Sequence, residues 1–290
     1  GLADRGDYKG AIRELEEALP LVDVPADVSE TAKESAGVDD AFLKQFSEIT
    51  GVVHRMVIYP DLGKYYRLDE QYEKAHEWLN KAYQLFPRLP SLVMEMAALA
   101  YDEGHYKEAA RISGEALELP KMQEEGSVRA QTHWIRALSF LRLKNYPQAK
   151  EEAARSLAIM PSFAGSSTLA KALLRQGQYQ DAIDVYQGTI DDGSREPLAY
   201  IDMIHIYNMM RDLDASIAIG VEGVETFPAD GHIQLNLASI YAKKGDLEAT
   251  LKYAKMSVES GYATRAKIDA DSDFGPVRER PEFVRFLDTL

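Results

Sequence analysis

A short pattern returns along this chain at nearly fixed intervals, and no other feature limits the fold as strongly. A turn-forming residue and then an aromatic or leucine lead to a small residue near the start of a helix. The pattern reads "GDYKGA" at 6–11, "DEQYEKA" at 69–75, "GHYKEA" at 104–109 and "KNYPQA" at 144–149, then "GQYQDA" at 177–182, "RDLDAS" at 211–216 and "GDLEAT" at 245–250. The closing small residues, Ala11, Ala75, Ala109, Ala149, Ala182, Ser216 and Thr250, are 64, 34, 40, 33, 34 and 34 residues apart. Such a period means one supersecondary unit used again and again.

Both flanks of the pattern have helical spacing. Upstream, Tyr59, Leu62, Gly63 and Tyr66 fall at i, i+3, i+4 and i+7, which is one face of a helix. Ser166, Leu169, Ala170 and Leu173 fill the same slots, as do Tyr200, Met203, Ile204 and Tyr207, and Gln234, Leu237, Ala238 and Tyr241. Downstream, Leu79 and Ala82 follow Ala75 at four and seven residues, and Pro87, Pro161 and Pro228 stand where the second helices end. Proline stops a helix because it lacks the amide and clashes with the preceding turn. Each unit is therefore a helical hairpin, small residues allowing close approach and large ones filling the gaps. One hairpin cannot bury its apolar face alone, so neighbours must stack.

This arrangement of small and large positions resembles the tetratricopeptide repeat family, continuously over residues 56–262 as about six repeats. The resemblance implies an all-α fold, a right-handed α-α superhelix whose first helices line a concave groove that binds peptides. Residues 1–55 are expected to form a partial N-terminal repeat, a polar loop over 20–40 and an extra helix marked by Phe42, Phe46, Ile49 and Val53. Residues 119–127, "LPKMQEEGS", absorb the gap of 40 as a longer loop or helix extension.

Composition removes several functions. A formal charge of −14 repels nucleic acid and anionic lipid over most of the surface, and no apolar run approaches the roughly 18 residues of a spanning helix. The chain contains no cysteine, which excludes disulfides, thiol catalysis and cysteine metal sites. A soluble protein of the bacterial cytoplasm or periplasm is expected, with a lean towards export because cysteine is absent. Gly1 reads as a processing boundary. "HEWLN" at 76–80 begins like a zinc-protease motif but has Asn80 at the second ligand position. There is no phosphate loop or nucleophile elbow, so no enzyme activity and no cofactor is expected.

Projection from the packing slots identifies the groove side chains. Met94, Trp134, Ile135, Leu138, Arg142, Lys171, Arg175, Ile201, His205, Asn236 and Lys243 are the candidate partner-binding residues. Trp134, Ile135 and Leu138 would form an apolar anchor site, unless Trp134 packs beneath 119–127. The cations would meet partner carboxylates, or neutralise neighbouring acids and helix C-termini. The lysine–asparagine set of the family's carboxylate clamp is absent at the corresponding positions.

Near the end, "DADSDFGP" (269–276) begins like a calcium loop, but its sixth residue is Phe274 and its twelfth Arg280, where glycine and glutamate are needed. It resembles instead the segment that closes bacterial proteins of this family. Asp273 would cap a short helix, Glu282 would follow Pro281 into another, and Phe274, Val277, Phe283, Phe286 and Leu287 would cover the last hairpin within a cap over 263–290. The expected function is a non-catalytic scaffold for a protein or peptide. The alternatives are self-assembly through the N-terminal edge, or a regulatory part of a larger enzyme.

Overall fold

A computed structural model describes residues 6–22, 40–193 and 195–290, and all the regular structure in it is helical. The chain divides into two compact units, residues 1–161 and 162–290. The first holds α1 (Tyr8–Val22), α2 (Asp40–Leu68), α3 (Tyr72–Leu85), α4 (Pro90–Asp102), α5 (Tyr106–Leu117), α6 (Gly126–Arg142) and α7 (Tyr146–Ile159). Here α2/α3, α4/α5 and α6/α7 are hairpins that stack in chain order, with α1 against α2. The second holds α8 (Phe163–Arg175), α9 (Tyr179–Asp191), α10 (Pro197–Met209), α11 (Leu213–Thr226), α12 (Gly231–Lys244) and α13 (Leu247–Glu259). These form three further hairpins, followed by α14 (Arg265–Ala270), a 3-10 turn (Ser272–Val277) and α15 (Pro281–Leu287).

The recurring pattern is a helix stop. The residue five before each closing small residue has positive φ every time: Gly6, Glu70, Gly104, Lys144, Gly177, Arg211 and Gly245, between 59° and 82°. In the six turns after the first, the next amide reaches back five residues to the preceding helix, as in Gln71 to Tyr66 O at 2.8 Å and Asp246 to Tyr241 O at 3.0 Å. That bond satisfies a carbonyl the helix end would otherwise strand. Where the following residue is Asp7, Asn145, Asp212 or Asp246, its side chain then caps the second helix.

Two boundaries differ from expectation. The helix expected over Phe42–Val53 and the first helix of the next repeat are one helix, Asp40–Leu68, running through Pro60. A proline inside a helix costs about 3 kcal/mol, and here its neighbours Ile58, Tyr59, Leu62 and Tyr66 are buried against Ile12, Leu79 and Leu92. At the other boundary α1 extends to Val22, through Pro20. The rest of the expected loop, 23–39, lies outside the described residues, as do the side chains of Phe42, Phe46 and Ile49.

The inserted stretch 119–127 contains a 3-10 turn, Pro120–Gln123, whose Met122 is fully buried with Val93 and Ala116. In unit 2, Phe274, Val277, Phe283, Phe286 and Leu287 are buried in one core with Ile233, Leu237 and Ile240. The capping roles in the aspartate run are redistributed: Asp271, not Asp273, accepts the amide at the start of the turn. Asp273 instead pairs with Lys243 at 3.4 Å and accepts from Asn208.

Between α6 and α7 the Glu152 carboxylate is buried, taking a 2.6 Å hydrogen bond from His133 with Arg136 and Arg155 at 3.4 Å. Burial works to raise its pKa, but the His133 bond and the nearby cations outweigh it, leaving the group below the ordinary glutamate value. A depressed acid contributes stability above its unfolded pKa and loses it as pH falls through the folded one. The melting gap between wild type and Glu152→Gln should therefore close between neutral pH and about pH 3, and a constant gap would contradict the assignment. Left-handed Lys144 should gain from glycine. Lys144→Gly is expected to raise the urea midpoint, a stabilisation of up to about 1 kcal/mol, and Gly177→Ala to lower it by a similar amount.

Candidate functional site

The first helices of unit 1 share one register. Counted back from the small residue of each repeat, the positions fifteen, fourteen and eleven before it are Pro60, Asp61 and Lys64 on α2. On α4 they are Met94, Glu95 and Ala98, and on α6 Trp134, Ile135 and Leu138. These nine side chains line two adjoining cavities of about 310 and 250 Å³, which share Met94, Glu95 and Gln131. The larger has an apolar floor of Met94, Ala98, Trp134, Ile135 and Leu138, closed at one end by Arg67, Tyr101 and Asp102. The smaller continues along α2 past Asp61 and Lys64 to Val57 and Met56. Trp134 is half-buried and clusters with Met94, Ala97, Ala98 and Ile135, apart from the Met122 cluster beneath the inserted turn.

The charged wall is a chain of contacts. Arg67 donates to Glu95 Oε2 at 3.0 and 3.3 Å and to Asp102 Oδ2 at 2.5 Å. Burial raises the Glu95 pKa against the opposing charges of Arg67 and Lys64. Asp61 is raised as well, mainly by burial, with Lys64 opposing. Arg142, just beyond, is exposed and donates to Tyr101 Oη at 3.2 Å, its guanidinium lying over the Tyr106 ring. Thus Met94, Trp134, Ile135 and Leu138 meet in one cavity, with Arg142 joined to it through Tyr101.

The candidates in unit 2 are not gathered in this way. Lys171 and Arg175 on α8 and His205 on α10 are exposed, whereas Ile201 is 3% exposed and belongs to the core. Asn236 turns its amide back to His232 O at 2.9 Å. Lys243 is engaged by Asn208 Oδ1 at 2.9 Å and by Asp273, beside a separate cavity of about 400 Å³ lined by Met209, Arg211 and Leu213. Sequence reasoning missed Asp61, Lys64 and Arg67 as groove residues. The register that located Met94 and Trp134 also reaches Asp61 and Lys64, fourteen and eleven residues before Ala75, but the groove set was drawn from the later repeats. Arg67 gives no local signal, because its partners are 28 and 35 residues away.

Residues 167–202 match the family model of the tetratricopeptide repeat. Among solved structures the chain is similar to a tetratricopeptide repeat protein from Parabacteroides merdae ATCC 43184, with 16% identity and a TM-score of 0.54 over 96% of this chain and 95% of that one. It is also similar to Pseudomonas aeruginosa pilF, with 18% identity and a TM-score of 0.51 over 67% and 90% of the two chains. A chain of the APC/C hetero-tetramer Cut9–Hcn1 gives 16% identity and a TM-score of 0.52 over 93% and 56%. No curated protein matches. One stretch of the chain thus matches the tetratricopeptide repeat by sequence, and the chain as a whole shares the helical-repeat fold of these structures. Among the described residues no helix is long and apolar enough to cross a membrane.

Proposed function

We propose that this chain is a non-catalytic scaffold that binds a protein segment in the groove of unit 1. The observation that supports this reading is the alignment of nine register-equivalent side chains from α2, α4 and α6 along two joined cavities, with Trp134 on the apolar floor. Aromatic anchors set in concave apolar sites dominate the energetics of protein interfaces. The Cut9–Hcn1 chain, similar in fold, is part of a hetero-tetramer. A photo-crosslinking residue at Leu138 should capture a partner segment, and the same residue at exposed Lys107 on α5 should not. Trp134→Ala should weaken capture at least tenfold. Equal capture from both positions would refute the groove reading.

Self-association is a second reading, favoured by one observation. Val52, Val53, Met56 and Val57 form an apolar stripe on α2, exposed by 43, 53, 37 and 56%. Contiguous apolar surface of this kind marks an interface. If copies meet there, light scattering should show a concentration-dependent dimer that Val53→Asp dissociates, and a strict monomer at high concentration would end the idea.

A further inference from the structure

We propose that the segment accepted by the unit 1 groove is basic: it sets an aromatic or aliphatic side chain in the larger cavity and a lysine or arginine against Glu95. This deepens, and rests on, the groove reading above. The larger cavity, about 310 Å³, is at the small end of ligand pockets, roughly 300–1,000 Å³. It suits one large side chain, and its floor offers that side chain only apolar contact.

The charge next to this floor decides what accompanies the anchor. Glu95 stands where the two cavities meet and is 6% exposed. Both Arg67 bonds fall on its Oε2, while among the described residues no donor reaches Oε1. Oε1 is not among the buried oxygens left without a partner, so it opens on the cavities that Glu95 lines. A largely buried carboxylate with one oxygen facing a cavity is placed to take a charge-assisted bond from a ligand. Its raised pKa and that of Asp61 are consistent with this.

The lining as a whole holds Asp61, Glu95 and Asp102 against Lys64 and Arg67. Arg67 is already divided between Glu95 and Asp102, so it has little left for a carboxylate or phosphate on the partner. The −14 charge of the chain attracts basic segments and repels acidic ones. An ammonium or guanidinium at Glu95 Oε1 would add a charge-assisted bond to the apolar anchor beside it.

Selection of random twelve-residue peptides displayed on phage, against the full chain, tests the chemistry. Enriched peptides are then synthesised with a fluorophore and titrated against wild type, Glu95→Gln, Asp61→Asn and Trp134→Ala, each checked for a wild-type helical melt. The expected motif has a lysine or arginine within about four residues of an aromatic or aliphatic anchor. Glu95→Gln should weaken binding about tenfold or more, Asp61→Asn about threefold, and Trp134→Ala should abolish it. Asp61→Asn leaves the Arg67 contacts intact, so it reports on charge even if Glu95→Gln loosens the fold. Acidic or neutral motifs that depend on Trp134, or basic ones indifferent to both acid substitutions, would overturn the basic-segment proposal and leave the groove reading standing. Failure to enrich any peptide that depends on Trp134 would overturn both.

Discussion

In every repeat after the first, the residue five positions past the left-handed turn is closed off from solvent. Ala75, Ala109, Ala149, Ala182, Ser216 and Thr250 are each 0% exposed. This is where the second helix crosses the first, and packed helix axes lie about 8–10 Å apart according to the side chains at the contact, the smallest allowing the closest approach. The same tolerance is spent at Gly63, where an added Cβ would lie 2.4 Å from the Leu79 side chain. The left-handed turn fixes how far the chain runs before it doubles back, and the small residue fixes how closely the two helices meet. Where the contact residue is Ser216, its hydroxyl donates to Ile204 O, so a polar atom is buried there at no loss.

Fixing the hairpin this way fixes the groove as a by-product. If the crossing point sits at one place in each repeat, positions counted back from it fall on one line down the first helices. Packing then constrains Leu62, Tyr66, Leu79 and Ala82, which belong to the core. It leaves the groove positions free in chemistry. Along them α2 places proline, aspartate and lysine, α4 methionine, glutamate and alanine, and α6 tryptophan, isoleucine and leucine. Repeats alike in their cores thus differ where a partner would touch them.

Local and periodic features were legible in the sequence, and features made by distant pairs were not. The turn glycines and the small residues lie within five residues of each other and recur, so they show without any structure. The same register that placed Met94, Trp134, Ile135 and Leu138 inward also listed Ile201, which packs into the core of its unit. Spacing gives the face of a helix, and what the next hairpin covers decides whether that face stays open. The Arg67–Glu95–Asp102 chain and the Lys243–Asp273 pair join residues far apart in sequence, where any charge could have served. The continuity of α2 was hidden for a related reason: the repeat register begins at residue 56 and carries no sign of whether the helix before it runs on, while the burial that holds the helix together around Pro60 is tertiary.

The aspartate run at 269–273 shows how an open end is managed with ordinary groups. Asp269 pairs with Arg265 and Arg278, Asp271 caps the 3-10 turn, and Asp273 reaches Lys243 and Asn208 on the first helices of unit 2. Phe274 goes with it into the core, fully buried and stacked on Phe283. This segment packs on α12 where the first helix of a further repeat would otherwise lie. Its carboxylate uses the cation that a partner's acid would have sought, so the chain already satisfies that end of unit 2 from within. In unit 1 the balance runs the other way: Glu95 keeps an oxygen on the cavity wall that Arg67 does not serve. The two units thus treat their charges differently: in unit 2 the chain's own carboxylate occupies the cation, and in unit 1 an acid oxygen is left facing the cavity that α2, α4 and α6 line.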